Sequence, residues 1–326
     1  MNTNRLRIFT WHIHGSYLYY LSRGNFDIYI PVNSDRTDRN IGRGKTFPFG
    51  SNVIETDVSD IKNIDIDCIV FQTPENYLTD QYRLFSEEQR KLPKIYIEHD
   101  PPRQHPTDTR HVVNDPEVAI VHVTHFNRLM WDSNGLETFV IEHGVIDPGI
   151  EYKGDIEKGI VVINNLPARG RLLGLDIFME MRKYVPLDLV GMDTEGIGLG
   201  EVLHPQIPEF TSRYRFFLNP IRYTSFGLAV CEAMMIGLPV VGMATTEMPV
   251  VFRNGINGII HTDIDYLINQ MKRLLDDKDY ATRIGMEGQK TVRLKYNIER
   301  FTADWEKLFH KVIKTRTYEQ ADSIYQ

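Results

Sequence analysis

Residues 216–260 read FFLNPIRYTSFGLAVCEAMMIGLPVVGMATTEMPVVFRNGINGII, and the order of apolar runs and turn residues in this stretch decides the fold. FFLNP is a short apolar run closed by Pro220 and reads as a buried strand. LAVCEAMMI continues as a helix until Gly237 and Pro239 stop it, and LPVVGM supplies a second strand. Ser225 is placed to cap the helix, which leaves the backbone N–H groups around Phe226, Gly227, Leu228 and Ala229 without acceptors inside the helix. The positive end of the helix dipole adds to those donors, so the turn is a seat for a diphosphate that needs no cation of its own. Glu232 follows Ser225 by seven residues, two helical turns, and so is expected on the face of Ser225 and Leu228, where its carboxylate can accept from a ribose diol.

The run SFGLAVCEAMMIGLPVVG resembles the donor-binding signature of retaining glycosyltransferases of the GT-B fold, family 4 type. That signature is a Glu, SFG-like residues, a second Glu followed by Ala-Met, and Gly-x-Pro-Val-Val. Glu232 matches the second glutamate. Thr224 stands in place of the first, a position that in the family contacts hydroxyls of the transferred sugar. The resemblance implies an α/β protein of GT-B architecture, two Rossmann-like domains facing a central cleft. It further implies a sugar moved with retention from a UDP- or GDP-sugar to a glycan or lipid-linked acceptor, as in surface polysaccharide synthesis. No metal and no cofactor beyond the donor itself are expected.

Composition is compatible with that reading. The 326 residues suffice for two domains with separate cores, and 42% hydrophobic with 25% charged residues describe a globular chain. A formal net charge of −7 without any basic run gives no footprint for nucleic acid. Cys68 and Cys231 both sit in apolar segments and read as buried thiols in a reducing compartment. No apolar run reaches the roughly 18 residues that a membrane span needs. A cytoplasmic protein is expected, with peripheral contact at the inner face of a membrane left open.

Along the chain, short apolar runs alternate with helical patterns, the rhythm of parallel α/β sheets. LRIFTW, FDIYIPV, DCIVFQT, KIYIEH, VAIVHVT and TFVIEHGV read as the strands of a first domain, with FSEEQRKL as a helix among them. GIVVINN, LDLVG, YRFFLNP and LPVVGM form a second series. Residues 148–159, rich in glycine and charge, read as a linker. The expected domains are residues 1–150 and 151–299. The last helix, residues 300–326 around Trp305, is expected to return to the first domain, as the family's last helix does.

Four further groups carry chemistry. His99 and Asp100 close the strand IYIEH just before Pro101 and Pro102, at a carboxyl end where open sheets bind ligands. The resemblance extends to them as catalytic residues, His99 bonding the sugar or positioning the acceptor. In NNLPARGRLLGLD the family carries basic residues for the donor diphosphate; Arg169 and Arg171 are the candidates and spacing does not rank them. Leu173 occupies the place of the family's lysine. Gly15, in the turn WHIHGS, corresponds to a glycine-rich loop facing the donor. In ATTEMP, Thr246 with its neighbours Thr245 and Glu247 lies where relatives have a loop over the donor.

Some residues fit other readings. His12, His14, His99, Asp100 and His122 resemble a hydrolase metal site, a reading that leaves the second half of the chain unexplained. Asp65 and Asp67 read as a strand edge. The rival functional class is a catalytically inactive GT-B-like protein that binds a nucleotide sugar or acts as a scaffold; a hydrolase or epimerase on the same fold is a third.

Overall fold

The computed structural model describes the backbone of residues 5–324 and the side chains of residues 5–314. The chain divides into two compact units, one made of the chain up to Glu142 together with Ile298 onward, the other of His143–Asn297. Both boundaries fall somewhat earlier than the sequence suggests.

In the first unit seven strands form one sheet in the order β3-β2-β1-β4-β5-β6-β7: β1 (Leu6–Phe9), β2 (Phe26–Val32), β3 (Val53–Asp57), β4 (Cys68–Phe71), β5 (Lys94–Glu98), β6 (Val118–His122) and β7 (Thr138–Val140). All neighbours are parallel. The helices of this unit are α1 (Gly15–Leu21), α2 (Gln81–Leu84), α3 (His125–Met130) and, after the second unit, the long α11 that starts at Ile298. Strand order reverses between β1 and β4, so the crevice at their carboxyl ends is the natural ligand position. CIVF of β4 is buried throughout, as a central parallel strand covered on both faces must be. The return of α11 onto this unit is sealed by Trp305, fully buried, whose Nε1 donates to the Tyr17 hydroxyl at 3.1 Å. Phe309 packs edge-on against Phe26 at 5.2 Å.

In the second unit five parallel strands run in the order β12-β11-β10-β8-β9: β8 (Ile156–Val162), β9 (Leu187–Val190), β10 (Tyr214–Asn219), β11 (Val240–Met243) and β12 (Ile259–His261). The helices are α4 (Leu166–Arg169), α5 (Leu175–Met181), α6 (Ile207–Ser212), α7 (Leu228–Met235), α8 (Met248–Val251), α9 (Ile264–Asp276) and α10 (Lys278–Lys295). Here the order reverses between β8 and β10. Gly159 of β8 permits the sheet to close, because a Cβ there would lie 2.3 Å from the Phe216 ring and 2.6 Å from Leu187 on the flanking strands. Asp263 and Asp277 cap α9 and α10 by accepting from the backbone N–H groups of Tyr266 and Tyr280. At the other end of α9, the buried Arg215 donates to the carbonyls of Leu274 and Leu275, groups that no turn of helix can satisfy.

Three expectations need correction. Residues 148–159 are not a linker throughout: Ile156–Gly159 already belong to β8, whose first residues carry exposed Glu157 and Lys158 before the strand turns apolar. FSEEQRKL does not form a helix. Ser86 and Gln89 exchange the reciprocal bonds of a capping box, yet only the 3-10 turn Gln89–Lys91 follows, because Leu92 and Pro93 lead directly into β5. Ser225 is not the cap of α7, whose N-cap is Gly227. Asp65 and Asp67 bind Arg7 at 3.2 and 2.9 Å, in keeping with a strand edge. Among the described residues no helix is long and apolar enough to cross a membrane.

Candidate functional site

The site in the second unit grows from two loops at the reversal between β8 and β10. The loop after β8 carries α4, a 3-10 turn over Gly170–Leu173, and then α5. The loop after β10 runs from Pro220 to Gly227 and opens α7. Gly174 locks them together. Its φ is +81°, and a Cβ on it would lie 2.0 Å from the Pro220 carbonyl oxygen, so only glycine fits this crossing. The backbone N–H of Arg222 donates to the Leu172 carbonyl at 3.2 Å across the same contact.

That crossing gathers the charge. Arg171 donates to Asp176 at 2.6 Å; Arg222 forks onto the same carboxylate and also donates to the Arg171 carbonyl at 2.8 Å. Hydrogen bonding from Arg222 holds the Asp176 carboxyl below the usual carboxylate range. Two guanidinium groups against one carboxylate leave the cluster net positive. Arg169, at the end of α4, is exposed. Arg222 was missed in the sequence although it stands inside PIRYTSFG, and it is the more enclosed arginine of the pair on Asp176, 26% exposed against 76% for Arg171.

The helix α7 starts two residues later than a cap at Ser225 suggests. Gly227 is extended at φ −73° and ψ 135°, and the first N–H groups of the helix, those of Leu228 and Ala229, have no acceptor within it. The buried ring of Phe226 packs at 5.4 Å from Tyr296 and anchors the turn. Its neighbours Thr224 and Ser225 are half-buried on the loop. Within α7, Val230, Cys231, Ala233, Met234 and Met235 are buried, and Glu232 alone beyond the first turn keeps exposure. Because Ser225 lies outside the helix, the face of Glu232 is defined by Leu228, one turn earlier, rather than by Ser225. Glu232 Oε1 accepts from His204 Nε2 at 3.1 Å, a partner with no motif around it in the sequence. Across the sheet edge, Thr245 Oγ1 donates to the Ile221 carbonyl at 3.2 Å and so ties the loop of Thr246 to that of Arg222. Thr246 itself holds φ at +52°, a left-handed conformation uncommon for a branched residue.

The first unit carries its own candidate group at the carboxyl ends of β1, β4 and β5. His99 Nε2 faces Gln72 Oε1 at 3.1 Å; the Gln72 amide nitrogen donates to Thr10 and to the Trp11 carbonyl, so its oxygen accepts and His99 Nε2 carries the proton. The His99 ring lies 4.0 Å from that of His14 and edge-on to Tyr17 at 4.7 Å. Asp100 pairs with Arg103 at 2.6 Å. Beneath them, the half-buried Glu98 accepts from the Asp100 backbone N–H at 3.0 Å and lies 3.2 Å from His111 Nε2, and desolvation pushes its carboxyl above the ordinary value. Gly15 opens α1 against the Phe47 ring, where a Cβ would come within 2.2 Å, so its smallness serves packing. Of the residues of the hydrolase-like reading, His14 and His99 lie together, but His12 bonds the Gly42 carbonyl, and among the described residues no group of three or more His, Cys, Asp or Glu is placed to hold a metal.

Solved structures similar over nearly the whole chain include the following three. Sucrose-phosphate synthase from Thermosynechococcus elongatus matches at 13% identity and TM-score 0.73, covering 95% of this chain and 99% of its own. Alr3699/HepE from Anabaena, in complex with UDP and glucose, matches at 12% and 0.65, covering 94% and 99%. A glycosyltransferase from Rickettsia africae matches at 11% and 0.63, covering 95% and 99%. No curated protein matches by sequence. The two parallel sheets and these likenesses define the class: the chain has the GT-B fold. More narrowly, residues 180–277, all in the second unit, match the family described as Glycosyl transferases group 1.

Proposed function

We propose that this chain is a retaining glycosyltransferase that takes a UDP- or GDP-sugar and passes the sugar to a glycan or lipid-linked acceptor in surface polysaccharide synthesis. One observation carries the reading: a buried helix presents a single carboxylate, Glu232, and begins with open N–H groups on the same loop as an arginine cluster. Glu232 takes the ribose diol. The start of α7 at Gly227–Ala229, with Arg222, Arg171 and Arg169, takes the diphosphate, while Thr224 and Thr246 face the sugar. That solved relatives were captured with UDP supports a uridine donor.

In the proposed reaction the bond from the anomeric carbon to the diphosphate oxygen breaks, and its electron pair leaves with the nucleotide. The acceptor hydroxyl bonds to the same carbon on the same face and its proton passes to the departing phosphate. The protein's contribution is electrostatic, since donors fixed before the reaction stabilise charge as it develops on the leaving group. His99 and Asp100 of the first unit are assigned to the sugar and acceptor. No metal is invoked.

The test is calorimetry with nucleoside diphosphates on wild type and Glu232→Ala. Loss of a charged acceptor is expected to weaken binding by roughly tenfold or more. Unchanged affinity refutes the assignment. A non-catalytic nucleotide-sugar binder is the second reading, favoured by Leu173, which is buried in the core where relatives place a lysine, and by Thr224. Sugar release from UDP-sugars and GDP-sugars, measured as free nucleotide with and without acceptor glycans, separates the two.

A further inference from the structure

We infer that His204 is a positioning residue that aims Glu232 at the donor's ribose and thereby gives the site its preference for ribonucleotides. The inference rests on the donor-site reading above. Glu232 sits on a helix whose other residues beyond the first turn are buried, and its side chain is only 15% exposed. Its surroundings are mostly apolar: Ile207, Pro208 and Thr211 of α6, Phe217 of β10, and Ala229 on its own helix line the same small pocket. A carboxylate in such a place needs a hydrogen-bond donor to offset the water it loses. His204 supplies the bond, Nε2 to Oε1 at 3.1 Å, with only 16% of its own side chain exposed. The acceptor is a carboxylate oxygen, so Nε2 carries the proton.

His204 is also held firmly by its backbone. It opens the 3-10 turn His204–Gln206, follows the extended Leu203, and is succeeded by Pro205 and Pro208, which restrict the chain on its far side. A glutamate has several rotatable bonds, and ordering it at the moment of binding costs entropy. A donor fixed by the fold orders it beforehand, and a carboxylate retains acceptor sites for a diol while accepting from the imidazole. Because the proposed role of Glu232 is to take the ribose diol alone, the effect is expected at the 2′ and 3′ hydroxyls.

The experiment titrates wild type, His204→Ala, His204→Gln and Glu232→Gln by calorimetry with UDP, GDP and ADP, and with the 2′-deoxy form of whichever binds best. Wild type is expected to prefer the ribonucleotide by roughly tenfold. His204→Ala is expected to lose most of that preference while its affinity for the deoxynucleotide changes less than about twofold. His204→Gln, which keeps an N–H donor, is expected to retain most of it, and Glu232→Gln to lose it. A His204→Ala protein that still discriminates as wild type does overturns the inference and leaves the donor site standing. Equal loss of affinity for the ribonucleotide and its deoxy form in His204→Ala, which leaves their ratio unchanged, overturns it as well. A wild type that binds none of the diphosphates overturns the donor site itself, and this inference with it.

Discussion

Substituting Gly174 by Ala tests the crossing on which the arginine cluster depends. At φ +81° an L-residue costs about 1–2 kcal/mol. The new Cβ would also sit 2.0 Å from the Pro220 carbonyl oxygen, a backbone atom that cannot swing aside as a side chain can. Overpacking of that kind adds about 1–3 kcal/mol, for a total of about 2–5 kcal/mol against the 5–15 kcal/mol typical of a folded domain. Gly255 is the matched control: φ is +77° and nothing lies within 4 Å of its would-be Cβ, so Gly255→Ala should cost only the conformational part, about 1–2 kcal/mol. Both variants are to be followed by urea unfolding with far-UV circular dichroism. Tryptophan fluorescence, recorded in parallel, reports the first unit alone, since Trp11, Trp131 and Trp305 all belong to it. Equal costs for the two substitutions would refute the close approach and with it the placement of Arg222 beside Arg171.

Arg171→Ala with Arg222→Ala is expected to slow sugar transfer at least about tenfold, with little change in the unfolding midpoint because Arg171 and Asp176 are substantially exposed; normal turnover by the double variant removes the diphosphate assignment. Trp305→Ala is expected to destabilise the first unit by about 3–5 kcal/mol, and Trp305→Phe by less, read as the shift in a circular-dichroism melt. His122 is buried and its pKa is lowered by that burial to about 3. The unfolded chain takes up the proton near pH 6.5 while the native one resists, so stability present above that pH should fall as pH drops from about 6.5 towards 3, at up to ~1.4 kcal/mol per pH unit. Replacing His122 by Asn should flatten that slope by one proton, as measured by urea unfolding from pH 6.5 to 4.

The second-unit fold was legible because its punctuation is local. Pro220, Gly237 and Pro239 bound a helix and two strands within one short stretch, and a parallel sheet with this order has one place for a ligand. The strand VIETD of β3 was not legible: it lies at a sheet edge, and its polar alternate residues imitate a loop. Residues 156–159 misled in the same way, since Glu157 and Lys158 are exposed at the start of a strand whose buried part begins only at Gly159. Glu232 stood out through its seven-residue spacing from Ser225 and its place in SFGLAVCEAMM, the run that resembles the family signature. His204 did not, because its meaning lies in a contact 28 residues away, and Arg222 acquires its role only through Asp176, 46 residues distant. No periodicity records such pairings.

Because the first unit is completed only by α11, residues 143–297 are, in chain order, an insertion into it. On the ribosome the inserted unit has all of its strands before its host has Trp305 to cover Tyr17 or Phe309 to cover Phe26. The earlier-made sheet must therefore wait, with that apolar face open, while the later-made one folds. Expressed alone, residues 143–297 are expected to fold cooperatively in urea unfolding, since all five strands of their sheet lie within them. The first unit, by contrast, requires its two pieces rejoined by a short connection, and a chain cut before Ile298 should present its unfinished surface to chaperones or to aggregation.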